Sequence, residues 1–196
     1  MKRNSKLSRF FGLKRLAQDD SGATLAEFAL VAPVLAYLIL GSFEFGAIML
    51  TNTLMEGGLR EASRYGITGR EESGEDRLTT IRNIIDEHTL GLVNMDDAKI
   101  DVRVYDKFGS IGDGEPYIDG NGDGDYTPGE SFSDQNGNGV WDADVGQQGA
   151  GEDDDVVLYS IEYDWPIMTP AIGKIIGKDG KFPLKASIAV RNEPWE

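Results

Sequence analysis

A stretch rich in acids and glycine in the middle of the chain carries the clearest chemical pattern. Residues 119–130 read DGNGDGDYTPGE. Oxygen-bearing groups stand at positions 1, 3, 5, 7, 9 and 12 of this segment, and a glycine stands at position 6, where such a loop turns sharply. Because Ca²⁺ takes six to eight oxygen ligands, a loop of this pattern can wrap around one ion. The predicted ligands are Asp119, Asn121, Asp123, the carbonyl of Asp125, Thr127 and Glu130.

The same pattern recurs fifteen residues later. The repeat predicts a second set of ligands: Asp134, Asn136, Asn138, the carbonyl of Val140, and Asp142. It departs at position 12, where Val145 replaces the glutamate, so Asp144 or the acids at 152–155 are the candidates for the missing ligand. Prolines and glycines interrupt the flanks, so the two loops resemble EF-hand-like, dockerin-type repeats and not a regular EF-hand helix pair. The alternative is a solvated acidic loop that binds no metal.

A second pattern lies at the N-terminus, where six Lys and Arg residues precede the first acid. The only run apolar and long enough to cross a bilayer follows, within residues 21–50. Gly22 stands just before this run. Glu27 and Phe28 lie five and six residues after Gly22, at the start of the run. Cleavage after Gly22 would remove the basic leader and leave the hydrophobic helix on a mature chain that begins at Ala23. This arrangement resembles the class III signal read by prepilin peptidases, and it predicts Gly22, Ala23 and Glu27 as processing residues. The alternative is an uncleaved single-pass anchor.

Charge and composition limit the function classes. The basic end predicts a cytoplasmic N-terminus, so the residues after about 50 face the periplasm. A net charge of −15 argues against nucleic-acid partners, which require clustered Lys and Arg. The only histidine, His88, is predicted to be solvated, and we find no nucleophile–base grouping. The sequence therefore predicts that the chain is not an enzyme.

Hydrophobic periodicity predicts the elements that position these groups. One helix of about 40 residues crosses the membrane and continues to a stop at Gly66 or Gly69, with a kink at Pro33. Further along, we expect a helix over 74–88, strands over 98–105, 156–168 and 182–190, and a short helix over 171–176. The predicted fold class is α+β and pilin-like: a long N-terminal transmembrane helix packed on a small antiparallel sheet, with a calcium-loop insertion.

The helix carries a more specific resemblance. Residues 22–70 resemble the TadE-like family of the tight-adherence pilus system, and the ASIAVRNEPW ending is similar to the family's terminal strand. Residues 106–155 depart from the family core and form the insertion. The matching residues are Glu27, Phe28, Ala29, Leu30, Pro33, Gly41, Glu44, Phe45, Gly46, Arg60, Ala62, Arg64, Tyr65 and Gly69.

The resemblance implies a minor pilin or pseudopilin of the bacterial inner membrane. Glu27, Phe28 and Glu44 would act in assembly, and the partners would be other pilins, prepilin peptidase and the membrane. Glu44 has two readings: it snorkels to the outer interface or is protonated, or it serves as an assembly contact. The alternative function is an uncleaved, membrane-anchored calcium-binding protein that recognises a partner. The predicted divisions are a leader (1–22), a transmembrane helix (23–50), a first part of the soluble domain (51–105), the insertion (106–155) and the remaining strands (156–196).

Overall fold

The computed structural model describes residues 21–67 and 77–194. The chain divides into two compact units, Met1–Phe45 and Gly46–Glu196. Residues 1–20 of the predicted leader therefore lie outside the described residues, as do 68–76 and the final two residues.

The described part of the first unit is helical and apolar. It belongs to helix α1, Ser21–Ile67, which continues through Pro33 and through the first unit's last residue. The helix is long and apolar enough to cross a membrane, and its most apolar 18-residue window contains no buried residue. Leu30 and Leu38 are 77% and 63% exposed, which is costly in water and favourable in lipid.

The second unit has one hydrophobic core beneath the C-terminal part of α1. From that helix, Met55, Leu59 and Ala62 are fully or almost fully buried, at the spacing of one helix face. Helix α2, Arg77–Thr89, adds Ile81 and Ile85. Each such aliphatic side chain stabilises the fold by roughly 1.5–3 kcal/mol when fully buried. On this face Met55 is buried, whereas its neighbour Leu54 is half-buried.

The sheet against this core has four strands in the order β2–β1–β3–β4, all antiparallel. They are β1, Lys99–Tyr105; β2, Gln147–Gln148; β3, Val156–Pro166; and β4, Lys181–Arg191. Burial alternates along β3 after Val156, since its odd-numbered residues 157–165 are buried and its exposed residues are even-numbered. The predicted α+β, pilin-like arrangement of a long helix on an antiparallel sheet is confirmed.

The insertion contributes to this sheet, which the sequence pattern did not predict. Strand β2 lies within residues 106–155 and pairs with β1 at Arg103↔Gln148 and Val104↔Gln147. A short 3₁₀ helix, Phe108–Ser110, stands near the start of the insertion. The predicted short helix after β3 is confirmed as α3, Pro170–Ile176, with proline in its first turn. The insertion is thus anchored to the domain at both ends.

Tyr159 of β3 lies at the centre of the core and has an unpaired hydroxyl. The residue is 0% exposed, and its Oη is one of four buried polar side-chain atoms without a hydrogen-bond partner among the described residues. Burial raises the pKa of Tyr159 to about 12. A buried polar group without a partner costs about 1–3 kcal/mol.

We therefore expect Tyr159→Phe to raise the free energy of unfolding by about 1 kcal/mol, because it removes the unpaired hydroxyl and keeps the ring. Urea denaturation of the full-length protein in detergent micelles, followed by tryptophan fluorescence, measures this change. The control is Tyr163→Phe on the same face of β3, whose hydroxyl is not one of those four atoms and which should give no gain. A loss of stability in Tyr159→Phe would contradict the prediction.

Candidate functional site

The predicted processing residues lie in the first turns of α1. Gly22, Ala23 and Glu27 are all exposed. Ala23 and Glu27 are separated by four positions, which places them one above the other on the same helix face. No described part of the chain lies within 4 Å of a Cβ built on Gly22. Among the described residues, nothing therefore packs against Gly22, and cleavage after it stays a prediction.

The two predicted assembly acids differ in exposure. Glu27 and Phe28 are exposed at the start of the helix, and Phe28 is 63% exposed. Glu44 is 1% exposed, although its neighbours Phe43 and Phe45 are 73% and 62% exposed. The Glu44 side chain is therefore buried, while the side chains on either side of it are exposed. Its role in assembly stays a prediction.

In the first calcium-like loop, residues 119–130, the acid at position 1 is bonded to the loop's own backbone. Asp119 accepts the N–H of Gly122 on Oδ1 at 2.5 Å and the N–H of Gly124 on Oδ2 at 2.9 Å. These bonds stabilise the ionised form, so they lower the pKa of Asp119. Both glycines have positive φ, 77° and 84°, a conformation that favours glycine. The predicted turn at position 6 is present.

The acid at position 12 closes the same loop. Glu130 accepts the N–H of Gly120 on Oε1 at 2.8 Å and the N–H of Thr127 on Oε2 at 2.9 Å. One carboxylate thus joins positions 2 and 9 of the loop. Asp119 and Glu130 together hold the loop from both ends.

The second loop, residues 134–145, repeats this arrangement at its first position. Asp134 accepts the N–H of Gly137 on Oδ1 at 2.6 Å and the N–H of Gly139 on Oδ2 at 2.8 Å. The glycine φ angles are 75° and 79°. The sequence repeat is therefore also a structural repeat.

A residue that was not predicted from the sequence, Glu115, closes the second loop. Its Oε1 accepts the N–H of Gln135 at 2.6 Å, and its Oε2 accepts the N–H of Asp142 at 3.2 Å. These are positions 2 and 9 of the second loop, the same positions that Glu130 joins in the first. Glu115 stands fifteen residues before Glu130, a spacing that could have revealed it.

The predicted substitute for this acid, Asp144, is engaged elsewhere. Its carboxylate accepts hydrogen bonds from Arg103 at 2.8 Å and from the hydroxyl of Tyr105 at 3.0 and 3.1 Å. Burial and the bond to Asp144 raise the pKa of Tyr105 to about 12. The other predicted source, the acids at 152–155, includes Asp155, which accepts the N–H of Glu152 at 2.7 Å. Asp144 therefore fixes the insertion to β1.

The remaining predicted ligands are bonded to one another. Asn121 donates from Nδ2 to Asp123 at 2.9 Å and to Thr127 at 3.1 Å. Asn136 and Asn138 donate from Nδ2 to Oδ2 of Asp142 at 2.6 and 2.7 Å. Across residues 21–67 and 77–194, no group of three or more His, Cys, Asp or Glu side chains is arranged to hold a metal ion. Calcium binding by these loops stays a prediction.

The helical segment is the part of the chain that matches a known family. Residues 22–64, which cover most of α1 and include Gly22, Glu27 and Glu44, match the family described as TadE-like protein. This segment is a TadE-like domain. The family implies a pilin-like protein associated with the Tad pilus, and it is non-enzymatic, in agreement with the prediction that the chain is not an enzyme. No curated protein and no solved structure matches the chain.

The TadE-like domain confirms the resemblance over the helical segment, where the matching residues are most numerous. The looser similarity of the C-terminal ending lies outside the match, as does the insertion. The domain's apolar helix agrees with membrane anchoring.

Proposed function

We propose that the chain is a minor pilin or pseudopilin of a tight-adherence pilus, cleaved after Gly22 by prepilin peptidase. It is held in the inner membrane by α1, with its N-terminus cytoplasmic and its second unit periplasmic. The observation that carries the proposal is the TadE-like domain, whose first turn presents Gly22, Ala23 and Glu27 on an exposed apolar helix.

The exposed helix fits two successive environments. Its apolar side chains first face lipid, and in a fibre they pack against the helices of other pilins, where van der Waals contacts hold the bundle. Cleavage frees the amine of Ala23, which pairs with Glu27 of a neighbouring subunit. Such a pair is worth much more in a low dielectric than in water. Phe28 and Glu44 complete the proposed assembly set.

Calcium stabilises the periplasmic insertion in this proposal. The two loops carry the required oxygen ligands, and their carboxylates at the first and closing positions already fix the backbone from within. Calcium would neutralise part of the loops' negative charge, so binding and ordering of the insertion are coupled.

We expect the mature protein to begin at Ala23, and Gly22→Leu to leave the leader attached, because a bulky residue fills the small position before the scissile bond. Intact-mass spectrometry of each protein, co-expressed with prepilin peptidase, shows whether the leader has been removed and at which residue. Gly46→Leu is the matched control, since Gly46 is also an exposed glycine of α1 whose Cβ position has nothing within 4 Å, and this variant should be cleaved normally.

An intact leader on the wild-type protein in the presence of active peptidase would refute the pilin proposal. It would favour the second candidate, an uncleaved membrane-anchored calcium-binding protein that recognises a partner. The observation behind that candidate is the pair of exposed loops on the insertion, which α1 does not require for anchoring.

A further inference from the structure

We propose that Glu115 is the missing ligand of the second loop, so that the insertion binds two Ca²⁺ ions in two reciprocally closed sites. This inference rests on the calcium binding proposed above and names the residue that completes it. The second site would comprise Asp134, Asn136, Asn138, the carbonyl of Val140, Asp142 and Glu115.

The hydrogen bonds of the two closing glutamates correspond atom for atom. Glu130 accepts the N–H groups at positions 2 and 9 of the first loop, at 2.8 and 2.9 Å. Glu115 accepts those at positions 2 and 9 of the second loop, at 2.6 and 3.2 Å. In both cases the two oxygens of one carboxylate contact the same loop. This is the bidentate role that position 12 has in a calcium loop.

The burial of Glu115 is independent evidence for a cation. Its side chain is 1% exposed, whereas the acids at position 1 of both loops are exposed. None of the ion pairs in the described part of the chain involves Glu115. A carboxylate is almost never fully buried unless it is paired with a positive charge or a metal. Two backbone N–H groups supply no net charge, so a cation in the second loop is what the buried acid lacks.

The sequence around the two glutamates explains how one comes to serve the other's loop. Each glutamate stands four residues before the first acid of the loop that follows it, Asp119 or Asp134. The unit that repeats therefore begins with the glutamate. Glu130 opens the second unit and closes the first loop, and Glu115 opens the first unit and closes the second loop.

Antiparallel pairing between the units makes this exchange possible. Tyr117 and Phe132 form an isolated antiparallel bridge. Beside it, Ile118 donates to the carbonyl of Ser131, and Ser133 donates to the carbonyl of Pro116, both at 2.8 Å. The segment after Glu115 thus runs against the segment after Glu130, which places each glutamate at the other unit's loop.

The aromatic residues at position 8 also join the two loops. Tyr126 and Trp141 stack with ring centroids 4.4 Å apart and an angle of 14° between the ring planes. The indole Nε1 of Trp141 also donates to the carbonyl of Glu115 at 2.7 Å. The two loops therefore share both a backbone bridge and a ring contact.

Glu115 also equalises the charge of the two sites. Among the predicted side-chain ligands, carboxylates stand at positions 1, 5 and 12 of the first loop but only at positions 1 and 9 of the second. With Glu115 the second loop gains its third. Since ligand charge strongly influences calcium affinity, we expect a second site of useful strength and not a vestigial repeat.

The test is calorimetric titration of CaCl₂ into the calcium-stripped, full-length protein in detergent micelles. We expect two ions to bind the wild type, and Glu115→Gln to weaken one of them by about 100-fold or more while the other is retained. Glu130→Gln should weaken the other ion by a similar factor. Asp144→Asn, which removes the rival acid, should still bind two ions.

A second variant and a folding measurement keep the result interpretable. Glu115→Asp keeps the charge but shortens the side chain, so it should also weaken one site. Hydrogen exchange of β3 amides shows whether each variant retains the core. If Glu115→Gln disrupts the fold, the same loss of one ion in a folded Glu115→Asp supports the inference.

The possible failures are distinguishable. Two ions bound with wild-type affinity in a folded Glu115→Gln would overturn the role of Glu115 while calcium binding itself stands. One ion in the wild type, lost in Glu130→Gln and retained in Glu115→Gln, would overturn the second site. No binding by the wild type would overturn both the calcium proposal and this inference, while the pilin proposal would still be decided by the mass of the N-terminus.

Discussion

Gly66→Ala is expected to destabilise the second unit by about 3 kcal/mol or more, the upper part of the range for overpacked cores. A Cβ at Gly66 would lie 2.0 Å from Oη and 2.9 Å from Cζ of Tyr159. Neither group can move freely, because Tyr159 is fully buried on the central strand β3. In an open part of a helix, replacing glycine by alanine would stabilise the helix by up to about 1 kcal/mol. At Gly66 the contact with Tyr159 makes the same substitution destabilising. Urea denaturation of the full-length protein in micelles measures the effect.

Gly57→Ala is the matched control for this prediction. Gly57 lies in the same helix α1, but nothing stands within 4 Å of its Cβ position, so the variant should be as stable as the wild type or slightly more stable. The double variant Gly66→Ala, Tyr159→Phe should recover part of the lost stability. It removes the Oη atom of Tyr159, which would lie 2.0 Å from the new Cβ, but it keeps Cζ, which would lie at 2.9 Å. Equal stability of Gly66→Ala and Gly57→Ala would contradict the close packing of α1 on β3.

Much of the fold could be predicted because local pattern and tertiary packing agree. The alternation in β3 follows from a strand with one face on the core, and the structure buries Tyr159 and Ile161 as that pattern requires. The long helix was predictable from apolar length alone. The described helix extends to Ile67, past the predicted stop at Gly66, and the other predicted stop, Gly69, lies outside the described residues.

What could not be predicted depends on contacts between distant residues. Gly66 looked like a helix stop, whereas its lack of a side chain admits the hydroxyl of Tyr159. Strand β2 has only two residues, too few for any periodicity, and exists because β1 offers an edge. Glu44 is buried, and nothing in the sequence around it indicates this burial.

The candidate calcium site shows the same division. The candidate ligands at positions 1 to 9 are apparent in the sequence because they lie within one loop, where backbone geometry would fix their spacing around an ion. The closing residue of the second loop could not be found by reading onward from Asp142, because it precedes both loops. It comes into place through the antiparallel bridge between Tyr117 and Phe132. Position 12 of the second loop is therefore occupied by Val145, and the acid that closes the loop through hydrogen bonds comes from a distant part of the sequence.

Asp119→Ala is expected to lower the calcium affinity of the first loop by about 100-fold or more, since it removes a ligand and a support for the loop at once. The carboxylate accepts the N–H groups of Gly122 and Gly124, which hold the loop in shape, and these bonds lower the pKa of Asp119. Without them the two amides lose their acceptors, so their hydrogen exchange should also accelerate in the absence of calcium. Calorimetric titration and hydrogen exchange of the full-length protein measure the two effects.

Asp106→Ala separates the local effect from the loss of one negative charge. Asp106 is an exposed acid on the same insertion but lies outside both loops and outside the acids at 152–155, so its removal changes the net charge equally. At physiological ionic strength, exposed charges beyond about 8 Å are largely screened, and this variant should bind calcium almost as the wild type does. If both variants weakened binding to the same small extent, the ion would be held by diffuse charge and not by the loop. A large loss in Asp119→Ala alone, with faster exchange at Gly122 and Gly124, would place the ion within the first loop and make position 1 its structural support.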